Sequence, residues 1–302
     1  MKNVKKKFNL KAFFRKNMVG WLIMIPSLAL FIFFVWLPLC KNIILSFFND
    51  YSFSEFVFLE NYKAIFEDEA FLAALKNTFV YILWSIIIGY FAPILMGFLL
   101  NECIHAKGLF RVCLYIPCMI SGIAVVFLFK NIYGSDSYSI LNIIFNRKDD
   151  PLAWAGNPNW VIPLIVLAMT WKGAGGTALI YLSNFQQIDV SLYEASRIDG
   201  ANSFQRLLKV TLPQMKNTLL TLFILQIISV FQVFYEPLVI GSKGGPGNSS
   251  MTLMLQAYLY AFQDLEYAKA AATSVFLALI ILVFTLIYFA LTKYLNKKES
   301  GK

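Results

Sequence analysis

Two places in this 302-residue chain set polar groups among apolar neighbours. In the first, Trp171 and Lys172 precede Gly173, Gly175 and Gly176. In the second, Gln226, Phe231, Gln232, Tyr235 and Glu236 fall within one apolar run. Carrying a charge into such a segment costs about 2.5–3.5 kcal/mol on insertion scales, so the group is kept for a use or is paired. Amides and carboxylates bond hydroxyl groups, and aromatic rings cover the apolar face of a sugar. The chemistry open to this set is therefore recognition of a polyhydroxylated ligand. Gln232 and Glu236 are four apart, which predicts one shared helix face. The competing reading is hydrogen bonding between helices, with Glu236 reaching the outer interface. The glycines after Lys172 either admit a second helix closely or interrupt their own helix beside a cavity.

Nothing in the sequence points to covalent or metal chemistry. The single histidine, His105, has no partner ligand nearby in sequence and is expected at the surface. Cys40, Cys103, Cys113 and Cys118 form no Cys-x-x-Cys, so neither a zinc site nor a disulfide frame is expected. No Gly-x-x-x-x-Gly-Lys-Ser/Thr occurs, the one Gly-Lys pair being Gly301-Lys302. The expectation is a chain with no catalytic residue, no metal site and no bound cofactor of its own.

The elements that must position these residues are apolar. Hydrophobic residues make up 59% of the chain, more than a soluble domain of this length carries. Six runs, 18–39, 79–100, 109–129, 160–181, 219–240 and 270–291, each reach the ~20 residues that cross a bilayer as a helix. No alternating ten-residue pattern favours a barrel. The expected fold is all-α, an integral membrane protein with six transmembrane helices. The first run is too long, and lacks the small-residue site, for a cleaved signal peptide.

Seventeen of the 26 Lys and Arg lie before residue 18, at Lys107 and Arg111, between Arg197 and Lys216, or from Lys293 onward. Five of the 17 acids share that side. The positive-inside rule then places both termini in the cytoplasm. The net charge of +9 is a topology signal and no sign of nucleic-acid binding. Outside, residues 60–78 read as an amphipathic surface helix leading into the second span. Residues 131–159 read as a loop with a short helix, 241–250 as a tight Gly/Pro turn, and 251–269 as a half-buried helix. Tyr258, Tyr260 and Phe262 are expected as interfacial anchors or as contacts of a soluble partner.

Between the fourth and fifth runs stands a polar, sharply punctuated stretch, "SLYEASRIDGANSFQRLLKVTLPQM". Ser191 and Glu194 have capping-box spacing. Gly200 suits a left-handed helix end, Asn202 or Ser203 can cap a second helix, and Pro213 helps end it. Two short helices meeting at Asp199-Gly200 are the expectation. Helices this short are marginal alone, and their apolar side chains call for a cover: headgroups, the chain's own spans or a groove on a partner.

This stretch resembles the EAA loop of the membrane subunits of ATP-binding-cassette (ABC) importers, the ABC transmembrane type-1 family. The pattern is met by Glu194, Ala195, Asp199, Gly200, Ala201, Leu212 and Pro213, with Ser196 replacing the usual second alanine. "ENYKAIFEDEAFLAALKNT", "GLFRVCLYIPCMISGIAV", "GGPGNSSMTL" and "EYAKAAATSVFL" extend the likeness along nearly the whole chain, closest to carbohydrate permeases of the maltose, multiple-sugar and glycerol-phosphate type.

The resemblance implies a coupling helix that docks in a cleft of a cytoplasmic ATPase, with Leu192, Tyr193, Glu194, Ala195, Ser196, Asp199, Gly200, Ala201 and Phe204 making the coupling. It implies a substrate pathway near Trp171, Lys172, Gln226, Phe231, Gln232, Tyr235 and Glu236. The partners implied are a second permease forming a heterodimer, two ATPase subunits using ATP and Mg, an extracellular or periplasmic solute-binding protein, and a carbohydrate substrate. The location implied is the bacterial cytoplasmic membrane. The implied division is a basic N-terminus (1–17), a first span and outer loop (18–70), the type-1 domain (71–292, coupling loop 184–216) and a tail (293–302). The rival readings are an ion-gradient-driven secondary transporter and a membrane scaffold or receptor.

Overall fold

Backbone groups kept from water must bond within their own segment, and the apolar runs do so as helices. The computed structural model describes residues 18–103 and 105–299. Its order is α1 (Met18–Leu45), α2 (Glu60–Glu67), α3 (Glu69–Glu102), α4 (Lys107–Met119), α5 (Gly122–Ile132), α6 (Ile140–Ile144), α7 (Val161–Phe185), α8 (Val190–Ile198), α9 (203–214), α10 (Lys216–Val239), α11 (Leu253–Phe262) and α12 (Tyr267–Glu299). No strand occurs among the described residues, where Phe48 and Phe56 make an isolated bridge. The basic N-terminus and residues 300–302 of the tail lie outside the described residues.

Among the described residues five helices, α1, α3, α7, α10 and α12, are long and apolar enough to cross a membrane. The third expected run, 109–129, is not one straight helix: α4 and α5 meet at 95° and make a sixth span only as a broken one. Pro117 withholds a donor near the end of α4. Ile120 (ψ 139°) and Ser121 (ψ 136°) are then extended before Gly122 restarts the helix.

The expected surface helix at 60–78 is also divided. Asp68 is extended and its carboxylate caps the N–H of Ala70 at 2.8 Å, so the second span starts at Glu69. The expected helix at 251–269 shortens to α11, and the last span starts at Tyr267.

Prolines shape the long helices further. Wide π turns occur at Ile32–Trp36, Ser85–Tyr90 and Leu207–Thr211. Each contains the carbonyl four residues before a proline, respectively Pro38, Pro93 and Pro213. That carbonyl loses its donor and meets the ring, and a widened turn relieves both problems.

The interior is apolar at its two ends. One cluster gathers Phe71, Tyr81, Val161, Ile165, Phe231 and Leu253 from α3, α7, α10 and α11. A smaller one gathers Ile94, Tyr181, Phe185 and Met215 near α8 and α9. Outward faces stay apolar as well: no residue of α1 before Leu45 is buried, and α12 exposes Leu282, Leu286 and Phe289.

Candidate functional site: a mid-helix cavity and a capped helix pair

Between the two apolar clusters lies a cavity of about 360 Å³. The π turn of α3 brings Ser85 and Gly89 to it, α7 brings Thr170 and Gly173, and α10 brings Gln226 and Ser229. Gln226 donates to Ser85 Oγ at 2.6 Å, while Thr170 bonds back to the Val166 carbonyl at 2.8 Å. A pocket of hydroxyls and one amide in an apolar frame suits a neutral polar ligand.

The sequence-predicted pathway residues separate into groups. Gln226 borders this cavity. Trp171 stands edge-on to Phe129 of α5, 5.5 Å between ring centres. The Lys172 ammonium reaches Gly122 at the α4–α5 bend, 3.1 Å from where a β-carbon there would stand. The short helical piece Tyr235–Val239, carrying Tyr235 and Glu236, packs on α5. These residues thus gather around α5 and do not line the cavity. Phe231 is fully buried between Phe79 and Phe284 and is a core residue.

The expected shared face of Gln232 and Glu236 is not present. The helix of α10 breaks at Gln232–Phe234, where Phe234 has φ −137° and ψ −56°. Pro237 has no N–H to return to the Val233 carbonyl, which accepts instead from Thr252 Oγ1 of a neighbouring loop at 2.8 Å. Sequence reading missed Ser85, Thr170 and Ser229. Lone hydroxyls in apolar runs usually bond their own helix, and only the π turn marks out Ser85.

At one end of the molecule α8 and α9 form the expected pair, with two changes. The N-cap of α8 is Asp189, whose carboxylate accepts from the N–H of Ser191 at 2.9 Å, so Ser191 and Glu194 form no capping box. The Asp189 cap starts the helix at Val190 and places Ser191 inside the first turn. The capping box present is Asn202–Gln205, reciprocal at 2.8 and 2.9 Å. The backbone N–H and the hydroxyl of Ser191 hold the Asp189 carboxyl below its usual range.

Gly200 has φ +79°. Its N–H bonds the Arg197 carbonyl at 3.0 Å and the next N–H, of Ala201, bonds the Ser196 carbonyl at 2.9 Å. This is the full Schellman closure of a helix end.

The pair is rigid inside and apolar outside. Tyr193 hydroxyl meets Thr211 Oγ1 at 3.0 Å, Ser196 is buried, and its hydroxyl bonds the Tyr193 carbonyl at 2.8 Å. Tyr193 and Ser196 therefore face the loop's interior. Leu192, Glu194, Ala195, Asp199, Gly200 and Phe204 face out, and Ala201 is half-buried. Ile198 is 88% exposed and Phe204 62%. Burying such a side chain fully gains about 1.5–3 kcal/mol, so this ridge favours a protein groove over water.

His105 lies in the turn before α4. All four cysteines are free thiols. No cluster of metal-ligating side chains occurs among the described residues. Tyr260 is buried and donates to Asp68 at 2.6 Å; Tyr258 stands edge-on to Phe234, and Phe262 is exposed.

Residues 85–301 match the family described as binding-protein-dependent transport system inner membrane component. The chain is 31% identical over 288 residues to the lactose transport system permease protein LacF of Rhizobium radiobacter, covering 93% of this chain and 95% of the relative. It is 31% identical to the arabinooligosaccharides transport system permease protein AraP of Bacillus subtilis (strain 168), covering 91% and 88%. Among solved structures, a chain of a bacterial ABC transporter involved in import of the acidic polysaccharide alginate superposes with a TM-score of 0.84. Identity there is 22%, over 94% of this chain and 98% of that one.

Proposed function

For a chain that belongs to the family of binding-protein-dependent transport system inner membrane components, a multi-pass membrane family of non-catalytic ABC permeases, we infer the following role. It is one pore-forming subunit of an importer that carries a carbohydrate or polyol across the bacterial cytoplasmic membrane. It alternates access under the drive of a separate ATPase. The observation that carries this reading is the α8–α9 pair: a Schellman-closed corner with an outward apolar ridge, built on a helical membrane body. Rigid elements of that kind move as units and transmit displacement.

The lactose and arabinooligosaccharide relatives support a carbohydrate as cargo, and the hydroxyl- and amide-lined cavity fits one. The partners on this reading are a second permease, two ATPase subunits that hold ATP and Mg, and a solute-binding protein on the outer side. Six spans with both ends inside follow, with α4 and α5 counted as one broken span and α8–α9 in the cytoplasm. The type-1 domain then occupies 71–292.

The test is reconstitution with an ATPase, a second permease and a solute-binding protein of the same importer. The chain alone hydrolyses no ATP. The assembled complex takes up radiolabelled oligosaccharide only with ATP on the ATPase side, and an ionophore leaves uptake intact. Uptake that follows an ion gradient without ATP replaces this reading with the secondary transporter. Gln226→Ala lowers uptake several-fold to about tenfold, the scale of one lost neutral hydrogen bond. For topology, Tyr138→Cys and Ile198→Cys are introduced separately into a chain freed of its own cysteines. An impermeant thiol reagent on intact cells labels the former only; the reverse overturns the orientation.

A further inference from the structure

Resting on that reading, we propose that Glu102 and Arg206 form the strut that carries motion of the α8–α9 pair into α3, and through α3 to the cavity. Glu102 is the last residue of α3, and Arg206 lies in the first turns of α9. Arg206 Nη2 stands 3.4 Å from Glu102 Oε2 and donates to Ser203 Oγ at 3.0 Å; its Nη1 donates to the Ala201 carbonyl at 3.2 Å. Ser203 Oγ in turn donates to Glu102 Oε2 at 3.2 Å. One guanidinium therefore ties the residue after Gly200, the first residue of α9 and the end of α3.

The chemistry fits transmission better than stability. A guanidinium fork fixes direction as well as distance, which a flexible ammonium does not. The Glu102 carboxylate also sits at the start of α9, where the helix dipole favours it. The Arg206 side chain is 12% exposed and that of Glu102 37%, and a partly exposed ion pair adds little to folding. From Glu102 the helix runs on to Gly89 and Ser85, about 20–25 Å away at 1.5 Å per residue. Those two residues border the cavity on the π turn, a place where a helix can yield. A push or pull on Glu102 along the α3 axis thus arrives where α3 meets the ligand space.

The test uses the whole complex with its ATPase, second permease and binding protein, in a chain freed of native cysteines and carrying Ser85→Cys. The probe is the rate of labelling by a small thiol reagent, with no nucleotide and with ATP plus vanadate. In the parent the rate changes with nucleotide. Glu102→Ala and Arg206→Ala keep the ATPase bound and hydrolysing, but the nucleotide-dependent change falls at least about fivefold, a typical coupling factor. The double alanine variant is no worse than either single one, and the exchange Glu102→Arg with Arg206→Glu restores part of the response. A full nucleotide response in both single variants overturns the strut, as do additive losses. Loss of the ATPase from the complex also overturns it, because the pair then serves assembly. A parent complex that holds no ATPase, or shows no nucleotide response, overturns the importer reading itself.

Discussion

Gly175 of α7 meets the carbonyl oxygen of Leu114 in α4 with no room for a side chain: a β-carbon there would overlap that oxygen. The neighbouring N–H of Gly176 donates to Cys118 Sγ at 3.1 Å, and that thiol donates to the Lys172 carbonyl at 3.0 Å. The two helices therefore touch backbone to backbone just before α4 gives way to the bend.

Gly175→Ala should force α4 and α7 apart. Overpacking of this kind costs about 1–3 kcal/mol, and here the obstacle is backbone, which cannot rotate away. The purified protein in detergent should melt several degrees lower. Gly173→Ala is the control, since a β-carbon there meets nothing within 4 Å. It should leave the melting temperature unchanged or raise it. Equal melting of Gly175→Ala and the parent would show that the helices are not held at this distance.

Asn142 holds the 131–159 segment together from inside. It is fully buried, and its amide nitrogen donates to the carbonyls of Gly134, Asp136 and Leu152 at 3.0–3.5 Å. Its oxygen accepts from the N–H of Leu152 and from Trp154 Nε1 at 3.1 and 2.9 Å. Asn142→Ala strands these groups at about 1–3 kcal/mol for a buried unsatisfied partner. Asn142→Asp should be as harmful, because a carboxylate cannot donate to three carbonyls. Limited proteolysis reads the result: both variants are cut within 131–159 at protease levels that leave the parent whole. Resistance of both would refute the role.

The six apolar runs and the Gly200 corner were legible because each depends on local chemistry: hydropathy, and the one residue suited to a left-handed helix end. The broken spans were not. Pro117 and Ser121-Gly122 were visible signals, yet the apolar residues on both sides of them read as one continuous run. At Gln232–Phe234 the local signal was Pro237, whose missing N–H leaves the Val233 carbonyl without its helical donor. What the local pattern does not show is the replacement donor, Thr252, which reaches the Val233 carbonyl from a loop nearly twenty residues on. The cavity failed for the same reason: Ser85, Thr170 and Ser229 are ordinary hydroxyls until three helices bring them to one space. Ser191 and Glu194 failed differently, because Asp189 competed for the same helix start and won.

Asp189 also gives a pH expectation. Its folded carboxyl is held below the usual 3.8 by Ser191, so the charged form favours the capped helix. That contribution is complete above the unfolded value and is lost as pH falls through the lower folded value. Asp189→Asn keeps an equally good cap at every pH. Hydrogen exchange at the amide of Ser191 should match between the two proteins near neutrality. It should become faster in the parent only under strong acid. Faster exchange in Asp189→Asn at neutral pH would show that charge outweighs capping here.

Gly200 carries the sharpest expectation for the proposed function. Its φ of +79° is one an L side chain rarely adopts, and a β-carbon there would meet nothing within 4 Å. Any effect of substitution is thus conformational and owes nothing to crowding. Valine in a left-handed backbone is strained by at least about 1–2 kcal/mol, more than helices of this length can absorb. The two Schellman bonds, from Gly200 to Arg197 and from Ala201 to Ser196, should loosen, and α8 should tilt against α9. The membrane helices draw their stability from lipid and from one another, so insertion should proceed. Gly200→Asn, a residue that tolerates the left-handed region, should behave almost as the parent. The measurement is paired: ATPase retained on purification, and sugar moved per ATP in proteoliposomes. Gly200→Val should lose one or the other, and Gly200→Asn neither. If valine leaves both unchanged, the corner is only a connector between α7 and α10, and the α8–α9 pair cannot be what couples this chain to its ATPase.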